Sequence, residues 1–403
     1  MPEIRRKLKP LPNIFCRKGL AGGDDIAENQ ALEGNSGHGG SVAAAARLSG
    51  RAEASIDDFS TNCFFAAAPL TERLVGETPW FSGSALLRYP DPRNERLRVM
   101  LAAREGVNPD MVIAGNGASE LIWAALPALP GVRRVLFLGP LFVQYARACS
   151  ALGIAWESVS CPEENFFLPD AAALERVARS GADAVIACSP NNPGTGAIRD
   201  FSPLLKAAGR RVLLLDSSYR GFLPEEAALV HHYPELAAEA ARNGGELVLL
   251  DSLTKLFCCP GVRLGFAVAG EEFIARMDAC RPSWSVSAAA EAAGLVLLRH
   301  EAEYRAMLPE LARDVEDVAA RLERSGLFRR VLRGPSFVAA AVKDGGAAKM
   351  QEYLLRREGV MIRVCDNVPG MPEGWVRIQA RPERHMQRLY AGLEHLQEAC
   401  PQI

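Results

Sequence analysis

No apolar stretch of this chain stays uncharged for the roughly 18–20 residues that a membrane crossing needs, so no span is expected. No two of its ten cysteines stand at C-x-x-C spacing, and Cys258 and Cys259 are adjacent. That scatter argues against a zinc site or a disulfide framework and fits a reducing cytosol; no metal is expected. Neither sign of charge dominates, with 46 Lys and Arg against 48 Asp and Glu. Nucleic acid and anionic membranes are therefore not implied as bulk partners. Arg5, Arg6, Lys7, Lys9, Arg17 and Lys18 cluster near the start, but no apolar h-region follows them. The expectation is a soluble cytoplasmic protein without a signal peptide, with residues 1–33 as a basic tail, solvated or acting as a binding arm. Internal repeats are absent, as are low-complexity tracts other than alanine-rich helices.

What is present is enough apolar residue, 49% of 403, to fill one large unit or two coupled domains. Strands are expected at 134–138, 184–188, 211–215, 246–250 and 264–269. Helices are expected between them near 142–152, 170–180 and 201–208. This alternation favours an α/β fold with a mostly parallel sheet covered by helices on both faces. From about Ser287 the pattern changes to long helices, 288–300 and 303–325, then strands within 331–342, 360–364 and 375–380. A helix over 347–358 and a closing helix over 382–400 complete a smaller α+β domain. The expected division is 34–75 as an N-terminal arm, 76–286 as the large domain and 287–403 as the small one.

Polar residues collect just past three strand ends, at Ser189–Asn192, Asp216–Tyr219 and Ser252–Lys255. In an open parallel sheet, ligands bind outside the carboxyl ends of the strands, so these ends point to one cleft. Lys255, flanked by Ser252 and Thr254 and followed by Arg263, suits a Schiff-base lysine beside a phosphate. A surface lysine after a buried strand suits that stretch alone equally well. Gly117-Ala118-Ser119 at a helix start can offer N–H groups and a hydroxyl to phosphate, or be only a tight turn. The glycine-dense run Gly34–Gly40 reads likewise as an anion loop or as a linker. A nicotinamide site fits poorly, because the Gly115–Ser119 turn lacks a third glycine. A ligand-sensing regulator without turnover is disfavoured by Lys255 and Asp216, and by the short stretch before the sheet.

Taken together, Gly-Asn-Gly-Ala-Ser-Glu at 115–120, Ser-Pro-Asn-Asn-Pro at 189–193, Asp216 with Tyr219, and Ser-x-Thr-Lys with Arg263 resemble the fold-type I, aspartate-aminotransferase-like enzymes that use pyridoxal 5'-phosphate. The resemblance implies that Lys255 holds the cofactor covalently and moves protons, and that Asp216 keeps the pyridine nitrogen protonated. It implies that Tyr219 and Asn192 donate to the ring's phenolate oxygen and that Phe142 stacks on the ring. Gly117, Ala118, Ser119, Ser252, Thr254 and Arg263 would form the phosphate cup. Tyr89 would reach the phosphate of a partner subunit, which implies a homodimer.

Within that superfamily, Gly37-His38-Gly39-Gly40, Trp284-Ser285-Val286-Ser287, and Ile362–Met371 followed by Arg377 are similar to the L-threonine-O-3-phosphate decarboxylases. The resemblance implies a small phosphorylated amino-acid substrate held by His38, Gly39, Asn62, Asn192, Arg363 and Arg377. Its product would be (R)-1-aminopropan-2-ol O-phosphate, a cobalamin precursor. Two arginines fourteen positions apart, each on a strand, can present two cationic forks to one doubly charged substrate. A histidinol-phosphate-type aminotransferase remains the alternative, as does an enzyme for another phosphorylated or phosphonate amino acid. Departures from the family lie at Gly194, at Ser217-Ser218, at Ser41 and at Cys63-Phe64-Phe65 after Asn62. The last two bear on the substrate more than on the cofactor.

Overall fold

Residues 184–188, 212–216 and 246–250 are continuous apolar runs with almost no alternation, and in the computed structural model each is a strand buried on both faces. The structure describes residues 39–78 and 87–399. A seven-stranded sheet contains β2 (Val112–Asn116), β3 (Arg134–Gly139), β4 (Ala155–Ser160), β5 (Ala184–Cys188), β6 (Val212–Asp216), β7 (Glu246–Ser252) and β8 (Leu264–Val268). Its spatial order is β2-β8-β7-β6-β5-β3-β4. Strands β3 to β7 pair in parallel, and β8 lies antiparallel between β7 and β2. The link from β7 to β8 holds only single helical turns, too little chain for the crossover that a parallel pair requires.

Successive side chains of these strands enter two separate cores. Leu213, Leu215, Leu247 and Leu249 face helices Glu95–Glu105, Ala171–Arg179, Ser202–Ala208 and Tyr233–Arg242. Leu214, Val248, Leu250 and Ile186 face helices Gly117–Ala128, Val143–Leu152 and Glu271–Ala279. At about 25 cal/mol per Å² of apolar area, this two-sided burial is the main favourable term holding the layers together.

A second sheet, of order β12-β13-β10-β9, is antiparallel and contains β9 (Phe328–Arg333), β10 (Phe337–Val342), β12 (Arg363–Val364) and β13 (Trp375–Gln379). The stretch 360–364, expected as one strand, is divided. Val360–Met361 forms β11, parallel to β1 (Asp57–Asp58), while Ile362 N–H donates to Gln351 Oε1 and leaves the ladder. The helix expected over 303–325 is broken into Glu301–Ala306 and Leu308–Arg324, because Pro309 sits in the first turn of the second piece. The closing helix begins at Gln387, after a single 3₁₀ turn at Glu383–His385. Among the described residues no helix is long and apolar enough to cross a membrane.

Candidate active site

β5, β6 and β7 end side by side, and β6 closes on Asp216, 5% exposed and in register with Cys188 and Leu250. Tyr145 of helix Val143–Leu152 donates its hydroxyl to Asp216 Oδ2 across 3.1 Å. The Ser218 N–H donates to Oδ1, also across 3.1 Å. Burial drives the Asp216 carboxyl above its ordinary pKa, and hydrogen bonds from Ser218 and Tyr145 and the charge of Lys255 offset only part of this. Its bonded partners are thus neutral donors, and the carboxylate is placed to accept a cationic one.

From β7 the chain enters a single helical turn, Leu253–Leu256, which carries Lys255. Ser252 caps that turn, accepting from the Thr254 N–H at 3.4 Å, and its Oγ lies 2.8 Å from Thr254 Oγ1. The Lys255 carbonyl accepts from Phe64 N–H at 2.9 Å and from Cys258 N–H at 3.3 Å, which fixes the turn against the 62–64 segment. Desolvation of the ammonium lowers the Lys255 pKa, and the Arg377 and Arg263 charges add to it, while Cys63 and Asp216 oppose. A lysine that releases its proton readily is what nucleophilic attack on an aldehyde requires.

Helix Gly117–Ala128 starts beside this turn. Gly117 has φ of +74°, and a Cβ there would come within 2.5 Å of Arg263 Nη2. Gly265, in register with Ser252, has Ala118 N where a Cβ would otherwise lie, at 2.5 Å. These two glycines therefore let Arg263, Ser252 and the half-buried Ala118 and Ser119 converge on one helix N-terminus.

On the other side stand two arginines that face each other across β12 and β13, Arg363 and Arg377. Arg377 donates through Nη1 to Asn192 Oδ1 at 2.7 Å and through Nη2 to the Ser60 carbonyl at 2.5 Å, while its Nε is buried without a partner. Arg363 Nη2 donates to Asn367 Oδ1. Burial lowers the Arg377 pKa, and the Arg363 charge adds to it, so a bound anion would relieve both. Asn62 Nδ2 donates to the hydroxyl of Tyr219, which is 2% exposed. Gly39 lies against Ser60 so closely that a Cβ would meet the Ser60 carbonyl oxygen at 2.3 Å. Phe142 immediately precedes Val143–Leu152 and packs on the same core as Tyr145.

Lys255, Asp216, Tyr219, Asn62, Asn192, Arg377 and Gly39 are thus linked to one cluster, and Gly117, Ala118, Ser252, Thr254 and Arg263 to the adjoining cup. His38 and the basic tail lie outside the described residues. Tyr89 is 80% exposed and stacks on Trp284, with ring centroids 4.6 Å apart, so it faces solvent rather than this pocket. Tyr145 was missed, though its place one helical turn after Phe142 was a signal. Gln379 was missed as well, and Arg381, visible in the sequence after Arg377, was given no role. They follow Arg377 at period two, which puts Arg377 and Gln379 on one face of β13, with Arg381 just past its end. Arg381 lies between Phe59 and Phe65, 4.0 and 4.3 Å from their ring centroids, and donates to Gln379 and to the Asp58 carbonyl.

Residues 61–395 match the model of a family described as aminotransferase class I and II. The chain belongs to that family. The threonine-phosphate decarboxylase of Salmonella typhimurium is 29% identical over 90% of this chain and 97% of its own length. A histidinol-phosphate aminotransferase of Rubrobacter xylanophilus is 30% identical over 72% of this chain and 79% of its own. Among solved structures, L-threonine-O-3-phosphate decarboxylase from Porphyromonas gingivalis superposes with a TM-score of 0.68 at 26% identity, covering 82% of this chain and 95% of that one. The family's cofactor, pyridoxal 5'-phosphate, fits the residues present. Asp216 suits a protonated ring nitrogen, Lys255 an aldehyde, and the glycine-lined helix start with Arg263 a phosphate.

Proposed function

We propose that this protein is a pyridoxal-phosphate-dependent decarboxylase of O-phospho-L-threonine, forming (R)-1-aminopropan-2-ol O-phosphate for cobalamin synthesis. The observation that carries the proposal is the facing pair Arg363 and Arg377, buried beside Asn192, Asn62 and Tyr219. Two guanidinium forks match a phosphate dianion better than a neutral side chain. Similarity to the Salmonella typhimurium enzyme along nearly its full length supports the same reading.

When bound, pyridoxal phosphate supplies an electron sink for one bond at the substrate's α-carbon. Asp216 sustains that capacity by holding a proton on the ring nitrogen. Tyr219, kept in place by Asn62, donates to the ring oxygen, and Phe142 shields the ring face from water. Arg363 and Arg377, engaged with the substrate phosphate, leave the α-carboxylate free to depart as CO2. Lys255 Nζ then delivers the proton that replaces it on the same carbon. If Arg377 instead grips the carboxylate, loss of the α-proton to Lys255 is favoured and transamination follows. The family and the Rubrobacter xylanophilus relative support that second reading.

Purified protein with pyridoxal phosphate and O-phospho-L-threonine, assayed with and without 2-oxoglutarate, separates the two. CO2 in both tubes is expected. Glutamate without CO2 would replace decarboxylation by transamination, with histidinol phosphate the next substrate to test. In Lys255→Ala the visible absorbance of the lysine-bound cofactor should vanish.

A further inference from the structure

Behind the sheet, on the side away from Ser252, lies a buried ionic cluster that neither the cofactor cup nor the arginine pair uses. Strand alternation turns Asp251 toward the core containing Leu247 and Leu249, opposite to Leu250 and Ser252. There Arg220 Nε donates to Asp251 Oδ2 at 2.7 Å and Arg220 Nη2 to Glu105 Oε1 at 2.6 Å. Arg220 also donates to the His231 carbonyl at 3.3 Å. Arg104 Nη1 stands 3.7 Å from Asp251 Oδ2 and 3.2 Å from Glu105 Oε1, and both arginines lie over the Phe266 ring. Asp251, Glu105 and Arg220 are each less than 9% exposed.

The second oxygen of Asp251 matters most. Oδ1 accepts from the Ser252 N–H at 2.7 Å, so one carboxylate holds the start of the lysine turn and, through Oδ2, the residue after Tyr219. The Ser217 N–H donates to the Leu250 carbonyl at 2.8 Å and the Arg220 N–H to the Ser217 carbonyl at 2.9 Å, so the two strand ends are also tied through backbone. Arg305 adds hydrogen bonds of 3.2 Å to the Gly221 and Leu223 carbonyls.

We propose that Asp251 and Arg220 are positioning residues that set Tyr219 and Lys255 relative to each other by clamping the ends of β6 and β7 from the far side of the sheet. The two strand ends carry groups that must meet neighbouring positions of one small cofactor, and strand pairing alone stops at Asp216 with Leu250. Beyond that point the Asp251 carboxylate is the side-chain link between them. A guanidinium suits the task because its fork reaches Asp251 and Glu105 together, which a lysine ammonium cannot do with fixed angles.

This inference rests on Lys255 carrying pyridoxal phosphate, and the experiment keeps the two apart. The visible absorbance of the holoenzyme is titrated against pH for wild type, Asp251→Asn, Tyr219→Phe and the double variant. Absence of the band in wild type would sink the cofactor assignment and not the clamp. With the band present, Asp251→Asn is expected to retain it and to shift its pH midpoint by about half a unit or more. That shift should largely disappear in the Tyr219→Phe background, because the clamp acts through Tyr219, and contacting residues are non-additive. An unchanged midpoint, or a shift that adds in full to that of Tyr219→Phe, overturns the proposal. A merely structural role would lower the melting temperature and leave this coupling at zero. Should Asp251→Asn fail to fold, Arg220→Lys gives the same readout, with a smaller shift of the same sign expected and no shift counting against the clamp.

Discussion

Asp216 and Lys255 are both buried against their charge, and the two shifts run in opposite directions. A lysine with a lowered folded-state pKa binds fewer protons folded than unfolded over the interval up to about 10.4, so its presence weakens the cofactor-free fold there. Cofactor-free Lys255→Met is therefore expected to resist urea better than wild type at neutral pH, with the gap closing as pH rises toward the unfolded lysine value. Asp216 has a raised pKa, so stability is lost as pH climbs from about 3.9 through the folded value. Cofactor-free Asp216→Asn should accordingly gain stability above that window. On the proposed function the same change would remove the charged partner of the cofactor's ring nitrogen. A charge-assisted hydrogen bond is worth about 1.5–3 kcal/mol, so turnover of the loaded enzyme should fall about ten- to a hundredfold. A variant that lost stability without the cofactor, or kept full turnover with it, would contradict the role given to this carboxylate.

At the level of single elements, the proposed phosphate cup depends on the helix Gly117–Ala128 beginning where it does. Gly117→Ala requires a left-handed residue with a side chain, at about 1–2 kcal/mol, and pushes Arg263 Nη2 away from the helix start. Pyridoxal phosphate should bind about tenfold more weakly, read by equilibrium dialysis, while the far-UV spectrum stays unchanged. Equal affinity would mean that Arg263 and this helix do not share the phosphate. The glycines at 115–117 were legible as a turn, but the contact with Arg263 depends on β8 running antiparallel beside β2, which no local pattern announces. Strands β5, β6 and β7 were legible because two-sided burial writes uninterrupted apolar runs. Strand β4 was not, since Ala155–Ser160 is an edge strand with mostly exposed residues and Trp156, Glu157 and Ser158 in its middle. Helices Tyr233–Arg242 and Glu271–Ala279 escaped as well. Gln379 and Arg381 show the reverse failing. Their period-two spacing was visible, but polar residues on a buried strand face look like a solvated edge until the partner segment 57–63 is in place.

Across the whole molecule, groups that would hold the cofactor and groups that would hold the substrate come from different sheets. Asp216, Ser252 and Lys255 lie at or just beyond the ends of parallel strands in the seven-stranded sheet, whereas Arg363 and Arg377 lie on paired antiparallel strands of the four-stranded one. Arg377 joins the two by donating to Asn192, beyond β5, and to Ser60, beyond β1. Cofactor binding and substrate binding should then respond separately to mutation. A ligand present at a hundred times its Kd stabilises the folded state by about 2.7 kcal/mol, so the melting temperature should climb with pyridoxal phosphate concentration. Arg377→Lys keeps the charge but loses the fork, and leaves Ser60 or Asn192 without its donor. It should lower the melting temperature with and without cofactor by the same amount, leaving the dependence on pyridoxal phosphate intact. Its effect on O-phospho-L-threonine should be larger: about 1.5–3 kcal/mol of charged hydrogen bonding is at stake, so KM should rise about ten- to a hundredfold. If the dependence on cofactor disappeared while KM held, Arg377 would belong with the cofactor groups, and the division of labour between the two sheets would have to be redrawn.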